Sequence, residues 1–204
     1  MAALSRLILV RHGETVGNSS IRYYGRTDIA LSESGRAQMR ATKQMLATNL
    51  KLSSFTQVFV SPLGRAVEGA RIIAGATVGL IEIEEFREID FGDFEGLTAE
   101  EIEVRYPTEY ARWIRDRLAP DYTYPGGESR SAFLARVGRG IDRMLSLRRQ
   151  GTSLVVAHRG VIRVITQTLT GAAPEIELGS IQILAAVADR WTDEFLDFTA
   201  HLGG

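Results

Sequence analysis

Two of the chain's three histidines stand at matching places. His12 follows the apolar run Leu7-Ile8-Leu9-Val10 and Arg11, and His158 follows Leu154-Val155-Val156-Ala157, with Gly13 and Gly160 close behind them. A third run, Val58-Phe59-Val60, ends in Ser61-Pro62-Leu63-Gly64-Arg65. Apolar runs without alternation read as strands covered on both faces, and in open α/β sheets ligands lie beyond the carboxyl ends of the strands. Three strand ends would therefore bring Arg11, His12, Arg65 and His158 together. Such a group suits a dianion such as phosphate, because guanidinium offers paired donors to its oxygens. Beside these cations His12 is expected to be neutral, since a like charge disfavours imidazolium, and neutral imidazole is the nucleophilic form. Attack on phosphorus would give a phosphohistidine, with the arginines and His158 stabilising charge on the equatorial oxygens. A departing alkoxide needs a proton. Glu88 is the candidate donor, with partial desolvation expected to raise its pKa toward the working pH, and Glu85 is the second choice.

The elements that must position these residues follow from periodicity. Segment 14–31 has neither period 2 nor period 3.6 and reads as a long functional loop. Helix is expected from Ser32, an N-cap candidate, to Asn49, with Ala37, Ala41, Met45 and Leu46 on one buried face. Strand 56–61, helix 62–74 ending at Gly75, and a short edge strand 80–83 follow. Stretch 85–96 mixes acids with aromatics and is a second functional loop. Thr98-Ala99-Glu100-Glu101 matches a capping box for a helix to Tyr106, and Pro107 opens another in which Tyr110, Trp113, Ile114 and Leu118 share a face. Loop 119–128, with Gly126-Gly127, leads to a helix over 129–149 stopped by Gly151, then strand 152–157 and a helix over 161–169. The tail carries β patterns at 181–188 and 191–199. This βαβ alternation predicts one α/β domain over 1–204, a three-layer α/β/α sandwich with a mainly parallel central sheet and a small helical lid at about 98–129.

Composition narrows the function. The chain has 204 residues, 45% of them hydrophobic, enough for one sizeable core. With 24 basic and 25 acidic residues the formal charge is -1, so no general basic field for nucleic acid exists and an anion must be bound by local clustering. Absence of cysteine excludes disulfides, thiolate catalysis and cysteine metal sites. No apolar run approaches the ~20 residues of a membrane span, and a cytoplasmic protein is expected. Asp90, Asp93 and Glu95 follow no ion-binding loop pattern, and solvation or capping is the expected role. Arg105, Arg112, Arg115 and Arg117, interleaved with Tyr106, Tyr110 and Trp113, fit either a substrate-facing lid or the outer positions of an amphipathic helix. His201 is assigned no role.

The stretch Leu9-Val10-Arg11-His12-Gly13-Glu14-Thr15, with Asn18, Gly25-Arg26-Thr27-Asp28-Ile29-Ala30-Leu31 and Gly35, closely resembles the opening of the histidine phosphatase superfamily, branch 1, the phosphoglycerate mutase-like proteins. Ser61-Pro62-Leu63-Gly64-Arg65-Ala66, Glu88 with Gly92, Glu95 and Gly96, Pro125-Gly126-Gly127-Glu128-Ser129, and Ala157-His158 continue the match in the family's order. The resemblance implies His12 as phosphorylated nucleophile, Arg11, Arg65 and His158 as phosphate pocket, and Glu88 as proton donor. It also implies Asn18 as a supporting phosphate contact, with Gly25 and Arg26 on the substrate-binding side, and catalysis without metal or other cofactor. Two positions depart from the family pattern: Gly17 stands where tryptophan is common, and Arg159 where a small residue follows the second histidine. Arg159 is therefore a candidate substrate contact, the alternative being an exposed arginine at a helix start that points into solvent. The expected activity is a metal-independent phosphomonoesterase acting on a small phosphorylated metabolite, with no nucleic-acid or membrane partner and with a homodimer left open. A phosphoglycerate mutase-type phosphotransferase shares every catalytic residue, but the interval from Glu88 to His158 leaves limited room for the longer mutase lid that keeps water from phosphohistidine. A catalytically silent phosphate-binding scaffold is the alternative of another class, against which the complete set His12, Arg65, Glu88 and His158 speaks.

Overall fold

A computed structural model describes residues 5–52, 54–187 and 190–193. Its strands are β1 (Ser5–Arg11), β2 (Gln57–Val60), β3 (Leu80–Glu82), β4 (Thr152–Ala157), β5 (Ile181–Val187) and β6 (Arg190–Asp193). Its helices are α1 (Glu33–Asn49), α2 (Gly64–Ala74), α3 (Ala99–Arg105), α4 (Pro107–Asp116), α5 (Arg130–Leu147) and α6 (Arg159–Thr170). The strands form one sheet in the order β3-β2-β4-β1-β5-β6. The pairs β3/β2, β2/β4 and β4/β1 are parallel, while β5 runs antiparallel to both β1 and β6.

The inner strands lack alternation because both of their faces are covered. Ile8, Val10, Val58, Val60, Leu154 and Val156 pack with Met39, Leu46, Ala66, Ala70 and Ile73 of α1 and α2. Their neighbours Leu7, Leu9, Phe59, Val155 and Ala157 face the other way, onto Val137, Ile141 and Met144 of α5 and Val161, Ile162 and Ile165 of α6. Burying each larger side chain contributes about 1.5–3 kcal/mol, so the sheet's two faces hold most of the core's driving force. The result is the expected α/β/α sandwich, with the ends of β1, β2 and β4 held side by side.

Several local expectations shift. The buried face of α1 is Gly35, Met39, Thr42 and Leu46, while Ala37 is exposed and Ala41 and Met45 are half-buried. Two of these positions are buried for reasons other than hydrophobicity. Gly35 lies so close to the Glu14 backbone that a Cβ would overlap the Glu14 carbonyl oxygen. The Thr42 hydroxyl lies 2.9 Å from the Gly179 carbonyl oxygen and 3.0 Å from that of Gln38. In α4, Trp113 is buried but Ile114 is exposed, and Leu118, expected on the same face, is exposed beyond the end of the helix. Helix α2 starts at Gly64 rather than Pro62, and its first N–H is capped from a distant loop, by Asp28 at 2.9 Å. A carboxylate there also favours the positive end of the helix dipole. Of the second tail pattern only Arg190–Asp193 is described as strand; positions 194–199 and His201 lie outside the described residues.

The helical segment has its own small core of Phe94, Leu97, Ile102, Trp113 and Tyr122. The predicted capping box is formed by Thr98 and Glu101. Glu101 also pairs with Arg22 at 2.6 Å, and Tyr23 meets Phe91 and Trp113 edge-on, each at 5.4 Å. The loop after β1 is thereby tied to α3 and α4.

Candidate active site

Sheet register does the first part of the assembly. Arg11 is level with Ala157, so His12 and His158 are the next residues on adjacent parallel strands, and Val60 opposite Val156 brings Ser61 to the same level. The two imidazole centroids are 5.1 Å apart, and both rings are buried. Nδ1 of His12 lies 2.7 Å from the Gly13 carbonyl oxygen. A carbonyl only accepts, so Nδ1 carries the proton and Nε2 keeps a lone pair. Burial, then the charges of Arg65 and Arg11, hold the His12 pKa well below the ordinary histidine range. His158 is held down likewise, by burial first and Arg65 next. Its Nε2 lies 2.8 Å from Ser61 Oγ, which already accepts the Leu63 N–H at 3.3 Å. Donation of the serine proton to Nε2 puts the His158 proton on Nδ1.

That Nδ1 is buried without a protein partner, and so are Nε of Arg11 and Nε of Arg65. Leaving a buried donor unpaired costs about 1–3 kcal/mol, more for a charged group, so three in one neighbourhood mark a place built for an acceptor. Nη1 of Arg11 and both Nη atoms of Arg65 are engaged. Arg11 Nη1 donates to the Ile176 carbonyl at 3.0 Å. Arg65, fully buried, donates to the carbonyls of Gly25 at 2.7 Å and Thr27 at 2.8 Å. Burial lowers the Arg11 pKa to about 10, with the charge of Glu88 acting against it, and Arg65 is lowered for the same first reason. Both arginines stay cationic at neutral pH.

Glu88 is buried to 8% exposure, and its charge reaches Arg11 and Arg65. One carboxylate oxygen accepts the Gly160 N–H at 2.9 Å, in the first turn of α6, and the other accepts the Ile89 N–H at 3.0 Å. A Cβ at position 160 would stand 2.5 Å from the Glu88 oxygen and push the carboxylate aside, so glycine there lets the acid rest against the start of α6. Glu85, the second choice, faces Gly140 of α5 and pairs with Arg143 at 3.5 Å. Asn18 is exposed with a φ of 59°, and its carbonyl accepts the N–H groups of Ile21 and Arg22, so it shapes the loop turn. Gly25 reaches the site through Arg65, whereas Arg26 is exposed and paired with Asp90 at 3.3 Å. Arg159 is half exposed and paired with Glu175 at 2.9 Å.

Four residues support the site in ways the sequence reading did not assign. Ser61 orients His158. Asp28 caps α2, which carries Arg65. Glu95 accepts backbone N–H groups of Gly25, Arg26, Thr27 and Phe91 at 3.0–3.2 Å, holding the Arg65 loop to the acid loop. Arg136 of α5 pairs with Glu128 through two bonds, at 3.0 and 2.7 Å, and donates to the carbonyls of Glu85 at 2.7 Å and Arg87 at 2.9 Å. It thus fixes the backbone that carries Glu88. Arg136→Ala is expected to cost on the order of 3 kcal/mol in urea unfolding, because Glu128 keeps a largely buried charge without its partner. A double variant with Glu128→Ala should lose less than the two single losses together, and strict additivity would show that the clamp is not a coupled unit.

The buried neutral histidines also set an acid limit. Below their unfolded pKa, near 6.5, the unfolded chain binds protons that the folded chain refuses, so stability falls as pH falls. Between pH 6.5 and 5.5 the expected loss is about 1 kcal/mol for each histidine and about 2 for both, because the unfolded ring is only half protonated where that interval begins; further down the slope approaches about 1.4 kcal/mol per pH unit for each ring. Urea midpoints unchanged across that interval would mean that the rings are charged or solvated. Among the described residues no group of three or more histidine, aspartate or glutamate side chains is placed to hold a metal ion.

Comparison with known proteins follows the same lines. The family model described as histidine phosphatase superfamily (branch 1) matches residues 7–193. A bifunctional protein of Mycobacterium tuberculosis is 34% identical over 91% of the chain, which spans about half, 51%, of that relative. A 2,3-bisphosphoglycerate-dependent phosphoglycerate mutase of Gloeobacter violaceus is 31% identical, over 91% of the chain and 85% of the mutase. The crystal structure of the alpha-ribazole phosphatase from Shigella flexneri superposes with a TM-score of 0.82 at 27% identity, covering 95% of this chain and 96% of that one.

Proposed function

Because the chain belongs to the histidine phosphatase superfamily, branch 1, we propose that it is a metal-independent phosphomonoesterase acting on a small phosphorylated metabolite through phosphohistidine at His12. The observation that carries this reading is the His12 Nδ1–H bond to Gly13, which aims an unprotonated Nε2 into a neighbourhood of three unpaired buried donors. In the first step Nε2 bonds to phosphorus, the bond to the ester oxygen breaks, and Glu88 gives its proton to that oxygen. Arg11, Arg65 and His158 Nδ1 stabilise the equatorial oxygens in transit. In the second step Glu88, now a carboxylate, takes a proton from water as the water attacks phosphorus, and His12 returns to its neutral form.

A panel of phosphomonoesters assayed for inorganic phosphate release with excess chelator tests this reading. Release on at least one member at an undiminished rate is expected, and dependence on added divalent metal would replace the covalent route with metal-assisted hydrolysis.

The mutase relative supports a second reading, phosphoryl transfer to a hydroxyl acceptor from the same phosphohistidine. Helices α3 and α4, the expected lid, are short, 7 and 10 residues, which favours water as acceptor. Adding a hydroxylated acceptor and comparing transferred with released phosphate separates the two readings. The proposed location is the cytoplasm; among the described residues no helix is long and apolar enough to cross a membrane.

A further inference from the structure

Next to the phosphate pocket, an ion pair joins two residues that each adjoin one of its groups. Arg159 directly follows His158, and Glu175 directly precedes Ile176, whose carbonyl is held by Arg11. Arg159 Nη2 donates to Glu175 Oε2 at 2.9 Å, and the two side chains are 52% and 74% exposed. Stability does not account for this arginine. An exposed pair contributes little to stability, and a cation in the first turn of a helix faces the unfavourable end of the dipole. Its charge also bears on two groups of other elements, Arg11 at the pocket and the phenol of Tyr23, whose ring meets Phe91 and Trp113 edge-on. The guanidinium is thus within electrostatic reach of the phosphate pocket while its side chain stays open to solvent and to a ligand.

We propose that Arg159 is a specificity-determining residue that binds a second anionic group, a carboxylate or distal phosphate, on the phosphorylated substrate, and that Glu175 is the internal competitor this group displaces. The proposal rests on phosphate occupying the pocket of His12 and His158, as in the function proposed above. The exchange is chemically even: the guanidinium trades one anionic oxygen partner for another, and the released Glu175 carboxylate, already largely exposed, returns to water. Removing the two partners should then act in opposite directions. Without Arg159 the second anion loses its partner; without the Glu175 charge it meets an uncontested one.

Titration calorimetry with inorganic phosphate, 3-phosphonopropanoate and its one-carbon-longer homologue, 4-phosphonobutanoate, whose C–P bonds a phosphomonoesterase cannot cleave, tests this. The quantity read is the preference for the better phosphonocarboxylic acid over phosphate. Arg159→Ala should lower that preference about 10- to 100-fold, the range for a hydrogen bond to a charged group, and Arg159→Lys should restore part of it. Glu175→Gln should raise it several-fold. Parallel weakening of all three ligands in Arg159→Ala, a lower preference in Glu175→Gln, or a wild type that prefers neither acid to phosphate would each overturn the proposal. Because binding is read without turnover, a protein that shows these preferences yet hydrolyses nothing would sink the phosphatase reading and uphold this one.

Discussion

Replacing His12 with alanine should lower turnover of an aryl phosphate by more than about 10⁴-fold, the scale seen when a covalent nucleophile is removed. The size follows from what else the site offers. The chain has no cysteine, and the other buried imidazole is committed: Ser61 occupies Nε2 of His158, which leaves the proton on Nδ1. Water would have to attack phosphorus directly, with only the charge stabilisation of Arg11, Arg65 and His158 remaining. Phosphate binding by the variant, measured by calorimetry, shows whether the pocket persists. A loss below about tenfold with that pocket intact would place the nucleophile elsewhere.

The second large effect belongs to Glu88→Gln. Glutamine keeps the size of the side chain but cannot deliver a proton, so kcat/KM for an alkyl phosphate should fall about 10²- to 10⁴-fold. For an aryl phosphate kcat/KM should change far less, because it reports only the steps up to phosphohistidine formation and a phenolate leaves with little help. Its kcat should still fall, since hydrolysis of the phosphohistidine uses the Glu88 carboxylate as base. Equal losses of kcat/KM on both esters would remove Glu88 from the proton transfer. Glu85, facing Gly140 and Arg143, is poorly placed to take over.

The sequence made the reacting groups legible, because strand runs ending in Arg-His-Gly, Ser-Pro-Leu-Gly-Arg and His-Arg-Gly have a local signature and the parallel register does the rest. Backbone accommodation was harder to see. That Gly35 and Thr42 belong to the buried face of α1 depends on the Glu14 and Gly179 backbone, which no hydrophobic period records. The supports of the site were hidden for the same reason. Glu95 reads as one more loop acid until the fold brings Gly25 to it, 70 positions away, and Arg136 reads as an outer helix charge until the carbonyls of Glu85 and Arg87 meet it. The Arg159 to Glu175 pair spans two segments whose approach follows only from β4, α6 and the chain entering β5 being neighbours. Residues that react announce themselves by type and place, whereas residues that hold them in position do so through long-range bonds to main-chain atoms.

The central claim is that phosphorus passes through His12, and the Glu88→Gln variant provides the most direct way to catch it there. With an aryl phosphate the first step needs no proton donor while the second lacks its base, so the intermediate should accumulate. Mixing enzyme and aryl phosphate, quenching in alkali, where phosphohistidine survives, and mapping peptides by mass spectrometry should reveal a burst of phenol close to one per active site, with the phosphate on the peptide that holds His12. Turnover that proceeds with His12 unmodified and without a burst, or phosphate found on another residue, would contradict the account.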